Sequence, residues 1–302
     1  MTNYREQERK RIIAKRDLIF RDPGGGKYRN INRDFVLSDP VLNLWEGIRQ
    51  DAIQYFRENK ISWWGDQGNE VSGHLLSSQI ACLNHLYFTR QNKKTAIAIL
   101  KNISENIIDA VFVEDGYVEF EIIGDKNFLG EKSHSRGANS TSIDAVMVGK
   151  KKNGKNILVM IEWKYTEDYP SVDKYIPARA NIYNPLLSDL ECPIKGGNIK
   201  DLYYEPFYQL TRQTLLGWKM TQNLEYGCDE FLHLHIIPKD NEKLRETVTS
   251  PGLAGISMSD AWEKVLKEPK RYIVLTPEEF IKPISTCRDT ASILNYLSTR
   301  YW

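Results

Sequence analysis

Two charged residues directly follow an apolar segment that is typical of a central β-strand. Residues 158–161 read Leu-Val-Met-Ile, and Glu162 and Lys164 come next, separated by Trp163. Because side chains alternate between the two faces of a strand, Glu162 and Lys164 share one face and Trp163 lies on the other. An acid and a base side by side in such a strand suggest a site for chemistry. The alternative is an ordinary sheet edge, where the two side chains pair in solvent.

A second carboxylate, that of Asp144, is predicted to lie directly opposite Glu162. Residues 142–148 alternate like a strand, and the polar residues 149–156 that follow contain an Asn-Gly pair, which is typical of a β-hairpin turn. A turn centred on Asn153 places Asp144 opposite Glu162. The hairpin therefore predicts two carboxylates and one ammonium at the same end of the sheet.

These three charges are the kind of set that binds a divalent cation. Two opposed carboxylates repel, and in a poorly solvated site the repulsion exceeds its value of about 1 kcal/mol at 4 Å in water. Lys164 can neutralise one charge, but a cation between Asp144 and Glu162 accounts for all three residues. Hard Mg²⁺ takes one or two carboxylates together with water and phosphate oxygens, and Mn²⁺ uses similar ligands. The chemistry that follows is metal-assisted hydrolysis of a phosphate ester.

The elements around this hairpin read α-β-β-β-α-β. Outside the hairpin, the patterns predict a helix over residues 72–88 and a strand over residues 116–123 before it. After the hairpin they predict a helix over residues 204–220 and a strand over residues 231–238. Further helices are predicted over residues 1–22, 39–59 and 289–302. A last strand is predicted over residues 271–275, and Thr276 and Glu279 match a helix capping box.

Asp144, Glu162-x-Lys164 and this element order resemble the PD-(D/E)XK nuclease superfamily, the fold of many restriction endonucleases and Holliday-junction resolvases. The segments "LGEKSHSRGANSTSIDAVMV", "IEWKYTE" and "YEPFYQLTRQTLLG" are similar to those of bacterial restriction-endonuclease-like proteins. One departure is that Ile143 stands where the motif's name has Pro. The resemblance implies an α/β fold with a mixed sheet flanked by helices, a nuclease-like core over residues 71–240, an N-terminal helical extension over residues 1–70, and a C-terminal strand and helices over residues 241–302.

The resemblance also implies roles for individual residues. Asp144 and Glu162 would be metal ligands, Ile161 would offer its adjacent backbone carbonyl, and Lys164 would be the catalytic lysine. Because each charge is a compromise in an apolar strand, removing Glu162 or Lys164 is expected to leave the fold intact or to stabilise it.

Two further groups of residues are candidates for supporting roles. A third carboxylate is expected near the metal, with Glu131 favoured and Glu70 second, while Glu119 and Glu121 are weaker candidates. In the predicted helix over residues 204–220, three polar residues share one face and would back the metal site or contact a phosphate. They are Gln209, Arg212 and Gln213. For each of these residues the alternative is a solvated surface position.

Composition limits the class of protein. The chain has 302 residues, is 41% hydrophobic and carries a net charge of +1, so it can bury one large core. No segment approaches the roughly 18 consecutive apolar residues of a membrane span. The four cysteines form no C-x-x-C pair. We therefore expect a cytoplasmic protein with no membrane partner.

The most direct interpretation is a Mg²⁺- or Mn²⁺-dependent DNA endonuclease, of restriction or defence type. One alternative is a non-catalytic nucleic-acid-binding or scaffold protein that retains the fold. Another is a structure-specific nuclease or one that acts on RNA. DNA is the expected partner, RNA stays open as a substrate, and a homodimer also stays open.

Overall fold

The computed structural model describes residues 3–65, 70–136, 140–195 and 197–302. In these ranges the helices are α1 (Tyr4–Phe20), α2 (Arg49–Glu58), α3 (Ser78–Arg90), α4 (Lys93–Ile103), α5 (Pro177–Leu187), α6 (Phe207–Gln222), α7 (Glu242–Glu246), α8 (Met258–Val265), α9 (Pro277–Ile281) and α10 (Ala291–Tyr301). The strands are β1 (Gly26–Tyr28), β2 (Ile31–Arg33), β3 (Ile107–Val111), β4 (Glu119–Ile122), β5 (Ile143–Lys151), β6 (Asn156–Trp163), β7 (Cys228–Ile236) and β8 (Tyr272–Leu275).

Six of these strands form one mixed sheet in the order β3-β5-β6-β7-β8. β4 also pairs with β5, beyond the end of β3, so β3 and β4 together cover the two halves of the long strand β5. The contacts of β5 are antiparallel, whereas β6, β7 and β8 run parallel to one another. β1 and β2 form a separate small hairpin. The predicted mixed α/β architecture, with a mixed sheet flanked by helices, is confirmed.

The hairpin of β5 and β6 has the predicted register. Ala145 pairs with Ile161, which is the pairing that a turn centred on Asn153 requires. In the turn, the Asn153 side chain accepts a hydrogen bond from the Lys155 backbone N–H at 3.1 Å. Gly154 adopts a φ of 84°, a left-handed conformation that glycine reaches without steric cost. Local turn chemistry therefore sets which residues face each other at the far end of the hairpin.

Both faces of the central strands are buried, which explains their apolar composition. One face packs Met147, Val159 and Trp163 against α3 and α4, in a core that also contains Ile12 of α1 and Leu297 of α10. The opposite face lies in a second core with α6 and α8, to which it contributes Val146, Val148, Leu158 and Met160. Glu162 points to this second face, where helix α6 is its neighbour.

Some boundaries differ from those that periodicity predicts. Over residues 39–59, Pro40–Asn43 form a 3₁₀ turn capped by Asp39, and α2 begins only at Arg49. Periodicity also does not reveal α4, α5 or β3, and β3 has an irregular register that breaks its alternation. The capping box of Thr276 and Glu279 is present. Among the described residues, no helix is long and apolar enough to cross a membrane.

Candidate active site

Three carboxylates lie in one row across neighbouring strands of the sheet. The pairing of β4 with β5, and of β5 with β6, places Asp144 between Glu121 and Glu162. Glu162 is 1% exposed and Glu121 is 8% exposed, so neither charge is dispersed in bulk water. Like charges at directly opposed positions destabilise a sheet. The row therefore needs compensation from neighbouring groups.

Lys164 and two glutamines supply that compensation to Glu162. The Lys164 Nζ lies 2.5 Å from Glu162 Oε1. Gln209 Nε2 donates to the same oxygen at 2.8 Å, and Gln213 Nε2 donates to Oε2. Gln209 also accepts a hydrogen bond from Lys164 Nζ, at 2.6 Å. Both oxygens of Glu162 are thus engaged, and Gln209 connects the acid to the lysine.

Burial and charge act in opposite directions on Lys164. Burial alone would lower the pKa of the ammonium, but Glu162, with smaller contributions from Tyr169 and Glu167, raises that pKa well above its usual value. Lys164 therefore remains a cation. Its charge is fixed within the protein and shielded from solvent.

Asp144 and Glu121 carry less compensation. Asp144 Oδ2 accepts a hydrogen bond from the Trp163 backbone N–H at 2.7 Å, yet burial, followed by the charges of Glu162 and Glu121, raises the pKa of Asp144 well above its usual value. Burial also raises the pKa of Glu121, although Gln79 and Ser142 donate hydrogen bonds to it at 2.8 and 2.9 Å. This end of the row has an excess of negative charge that a cation would relieve.

The sequence makes Glu121 only a weak candidate for the third carboxylate, because its position depends on features that periodicity does not show. Its place beside Asp144 follows from the flanking pairs of β4 and β5, Phe120 with Ala145 and Ile122 with Ile143, which no local pattern specifies. Its φ is 53°, a left-handed value that is uncommon for a residue with a side chain. Such an outlier in a strand marks a candidate functional position. The hydrogen bonds from Gln79 and Ser142 hold the side chain of Glu121 at the row.

The other predicted residues fall into two groups. Gln209 and Gln213 reach Glu162, as described above, and Arg212 Nη1 donates to Thr141 Oγ1 at 3.3 Å. By contrast, Glu131 is bonded to Thr141 and to Tyr183, whose hydroxyl donates at 2.5 Å.

The structure does not bring Glu131 or Glu70 to the row. Glu131 is held away from it by the bonds to Thr141 and Tyr183, and Glu70 is exposed. Ile161 lies within the sheet between Ala145 and Leu234, and its side chain belongs to the core on the opposite face.

The donor set partly fits a hard cation. Carboxylate oxygens are the ligands that Mg²⁺ prefers, and one or two carboxylates suffice. In the described parts of the chain, however, no three His, Cys, Asp or Glu residues are grouped closely enough to hold a metal ion. The two oxygens of Glu162 face amides and an ammonium. Compared with Glu162, Asp144 and Glu121 have fewer positively charged or hydrogen-bonding partners, so a cation would stabilise them more.

A family comparison covers almost the whole chain. The model of the family described as "Restriction Endonuclease associating with ARP" matches residues 6–302. The chain belongs to this family. The match extends from α1 through the six-stranded sheet to α10, so it supports a restriction-endonuclease-like relationship for all of these elements. Searches of curated proteins and of solved structures gave no match to this chain.

Proposed function

We propose that the chain is a metal-dependent nuclease of the PD-(D/E)XK type that hydrolyses phosphodiester bonds of DNA. The observation that carries this proposal is the row of Glu121, Asp144 and Glu162 with Lys164 at its end. The restriction-endonuclease family supports nuclease activity in general. The elements α3, β4, β5, β6, α6 and β7 follow one another in the predicted order, with α4 and β3 inserted after α3 and α5 inserted before α6, and this order supports the proposal.

The proposed metal ligands are Asp144 and Glu162, with Glu121 as the third carboxylate in place of Glu131. When bound, Mg²⁺ or Mn²⁺ would lower the pKa of a water ligand and offset the negative charge of a phosphate. The excess negative charge around Asp144 supports cation binding at this end of the row.

The protein's own groups supply position and charge. The Lys164 ammonium is held ready to stabilise the charge that develops on phosphate oxygens during hydrolysis. Gln209 bridges Lys164 and Glu162, so it fixes the orientation of both without carrying a charge. Gln213 also donates to the Ser142 carbonyl at 2.9 Å, which ties α6 to the strand that carries Asp144.

A second candidate function is a scaffold or nucleic-acid-binding protein that does not cleave. The specific observation in its favour is that both oxygens of Glu162 are already satisfied by Lys164, Gln209 and Gln213. The words "associating with ARP" in the family description point to a role in association. Asp144 argues for catalysis, because a chain without that task gains nothing from holding a weakly compensated, partly buried acid beside Glu162.

The deciding experiment is incubation of the purified protein with plasmid, linear and branched DNA and with RNA, in Mg²⁺, Mn²⁺ or EDTA. We expect cleavage of DNA that requires the metal and is lost in Asp144→Asn. The matched control is Asp229→Asn, an aspartate of the same sheet on β7, which should cleave like the parent. Calorimetric titration with Mn²⁺ tests the site independently of activity. If neither cleavage nor Mn²⁺ binding is affected by Asp144→Asn, the proposal fails.

A further inference from the structure

An open cavity lies on the side of α6 next to the carboxylate row. Its volume is about 510 Å³, which falls within the range of small-ligand sites. Residues from the loop before β5, from α5 and from α6 line it, including Tyr183, Ile182 and Tyr208. Tyr183 and Tyr208 meet edge to face, with ring centroids 5.8 Å apart. One wall of the cavity is therefore aromatic and rigid.

Four cations line the same cavity, namely Lys132, Lys174, Arg179 and Arg212. Two carboxylates also line it, but the Glu131 oxygens accept from Thr141 and Tyr183, and a Glu205 oxygen accepts from the Gln209 backbone N–H at 3.2 Å. Within the described ranges, none of the four cations forms an ion pair with a carboxylate. The cavity therefore combines a net positive charge with an unmet demand for anionic partners.

The two arginines are arranged around one ring. The guanidinium carbons of Arg179 and Arg212 lie 5.5 and 4.7 Å from the centroid of the Tyr208 ring. Arg212 Nε is buried and has no hydrogen-bond partner among the described residues. Buried donors are normally satisfied, so an orphaned guanidinium N–H beside a cavity marks a place for an acceptor. Planar guanidinium groups match phosphate oxygens in particular.

The cavity is coupled to the carboxylate row through α6 and through the start of β5. Gln209 and Gln213 of α6 point to Glu162, whereas Tyr208 and Arg212, one position earlier in each case, line the cavity. Thr141, which receives the hydrogen bond from Arg212, is three residues before Asp144. A ligand in the cavity would therefore lie beside the proposed reaction centre and outside its metal ligands.

We infer that this cavity binds a nucleotide phosphate, with Arg179, Arg212, Lys174 and Lys132 around the phosphate and the Tyr183–Tyr208 wall against the sugar or base. The inference rests on the proposed function in taking the nucleotide to be part of the nucleic-acid strand that is cleaved. A free nucleotide has the same chemistry and is the second source that the experiment distinguishes. In the first case the cavity fixes the strand one or more nucleotides away from the reacting phosphate.

The test is equilibrium binding of short labelled single-stranded and duplex DNA in EDTA, where no metal-dependent cleavage occurs. The variant is Lys174→Ala with Arg179→Ala, and the matched control is Lys270→Ala with Arg288→Ala, an exposed lysine and arginine near the C-terminus. We expect the cavity variant to weaken DNA binding at least about tenfold and to reduce the slope of log Kd against log salt by about 1 to 2. The control should change neither quantity.

A parallel titration with deoxynucleoside monophosphates identifies the source of the phosphate. Loss of DNA binding in the cavity variant supports a strand, and loss of mononucleotide binding alone supports a free nucleotide. Because Arg179 donates to the Lys174 carbonyl at 2.7 Å, Lys132→Glu at an exposed position serves as a second variant that leaves the packing unchanged. If both variants bind DNA and mononucleotides like the parent, the inference is overturned. Cleavage is not used as a readout. The binding inference can therefore be confirmed even if the protein shows no nuclease activity.

Discussion

Two lysine–carboxylate pairs lie at opposite ends of the β5–β6 hairpin, with the same separation and opposite surroundings. At the turn end, Lys155 Nζ lies 2.5 Å from Asp229 Oδ2, and the two side chains are 61% and 37% exposed. At the other end, Lys164 Nζ lies 2.5 Å from Glu162 Oε1, and the side chains are 6% and 1% exposed. The N–O distance is therefore the same in the two pairs and does not distinguish them. The two pairs differ in how far their side chains are exposed to water.

The difference shows what burial does to an ion pair. In water, the attraction of an exposed pair is largely offset by hydration and by the entropy of two long side chains. In the interior, both ions have lost hydration, and the pair is stable only because each ion has its partner. The buried pair also lies beside Asp144, whose pKa burial and the neighbouring carboxylates raise. Such a costly arrangement is more easily explained by chemistry than by stability.

The largest effect is expected from breaking the buried pair. Lys164→Ala should leave Glu162 buried without its cation and lower the free energy of unfolding by about 3 to 5 kcal/mol. It should also reduce DNA cleavage at least about 10²-fold, the scale of one preorganised electrostatic group. Urea unfolding and single-turnover cleavage measure the two effects.

This expectation revises the one drawn from the sequence, in which removing Lys164 or Glu162 leaves the fold intact. The revision follows from the near-complete burial of both side chains, which a strand pattern does not disclose. Cleavage by folded Lys164→Ala at the parent rate would show that the lysine is structural. A stability equal to that of the parent would show that Glu162 takes up a proton at no cost.

The next effect is the coupling between the two members of the pair. In a double variant, Glu162→Gln with Lys164→Met, neither position keeps a charge, so most of the stability lost in Lys164→Ala should return. A double-mutant cycle that also includes the single variants Glu162→Gln and Lys164→Met should give a coupling free energy of about 3 kcal/mol. Chemical unfolding of the four proteins provides this value. Cleavage should remain lost in the double variant, and additive single effects would contradict the buried-pair interpretation.

Much of this end of the hairpin could be predicted from the sequence because it depends on local information. The Asn-Gly turn fixes the register, and the register places Asp144 beside Glu162. What could not be predicted depends on contacts between distant segments. Glu121 joins the row only because β4 pairs with β5, and Glu131 is drawn away by Tyr183 of α5, a helix that periodicity does not reveal. Periodicity predicts the elements that carry Asp144, Glu162 and Gln209 but not α4, α5 or β3, and the choice among several acids requires tertiary structure.

A third effect isolates burial without an ion-pair partner. His74 is 2% exposed, and burial, followed by the charges of Arg5 and Arg9, lowers the pKa of His74 to about 4. Its Nδ1 accepts a hydrogen bond from the Leu76 backbone N–H at 3.2 Å, which requires the neutral ring. In the unfolded chain the His74 ring is protonated as the pH falls below about 6.5, whereas in the folded chain the ring stays neutral until about pH 4. Stability from this group is therefore complete above pH 6.5 and is lost as the pH falls towards 4.

The variant His74→Asn should reduce this acid sensitivity, because asparagine can accept the same hydrogen bond and does not titrate. The difference in unfolding free energy between pH 7.5 and pH 4.5 should shrink by about 2 kcal/mol relative to the parent. Urea titrations at the two pH values supply the comparison. An unchanged pH dependence would show that His74 is protonated in the folded protein.

The smallest effect is expected at the exposed pair, and it completes the comparison. Lys155→Ala removes the ammonium that donates to Asp229, a bond that raises the pKa of Lys155, and the exposed Asp229 carboxylate is then hydrated instead. Neither ion is left in a dry environment, so the thermal midpoint should not change, in low salt or in high salt. Cleavage should also equal that of the parent, because the turn lies at the opposite end of the hairpin from Asp144. A destabilisation comparable to that of Lys164→Ala would mean that the separation of the charges, which the two pairs share, matters more than their access to water.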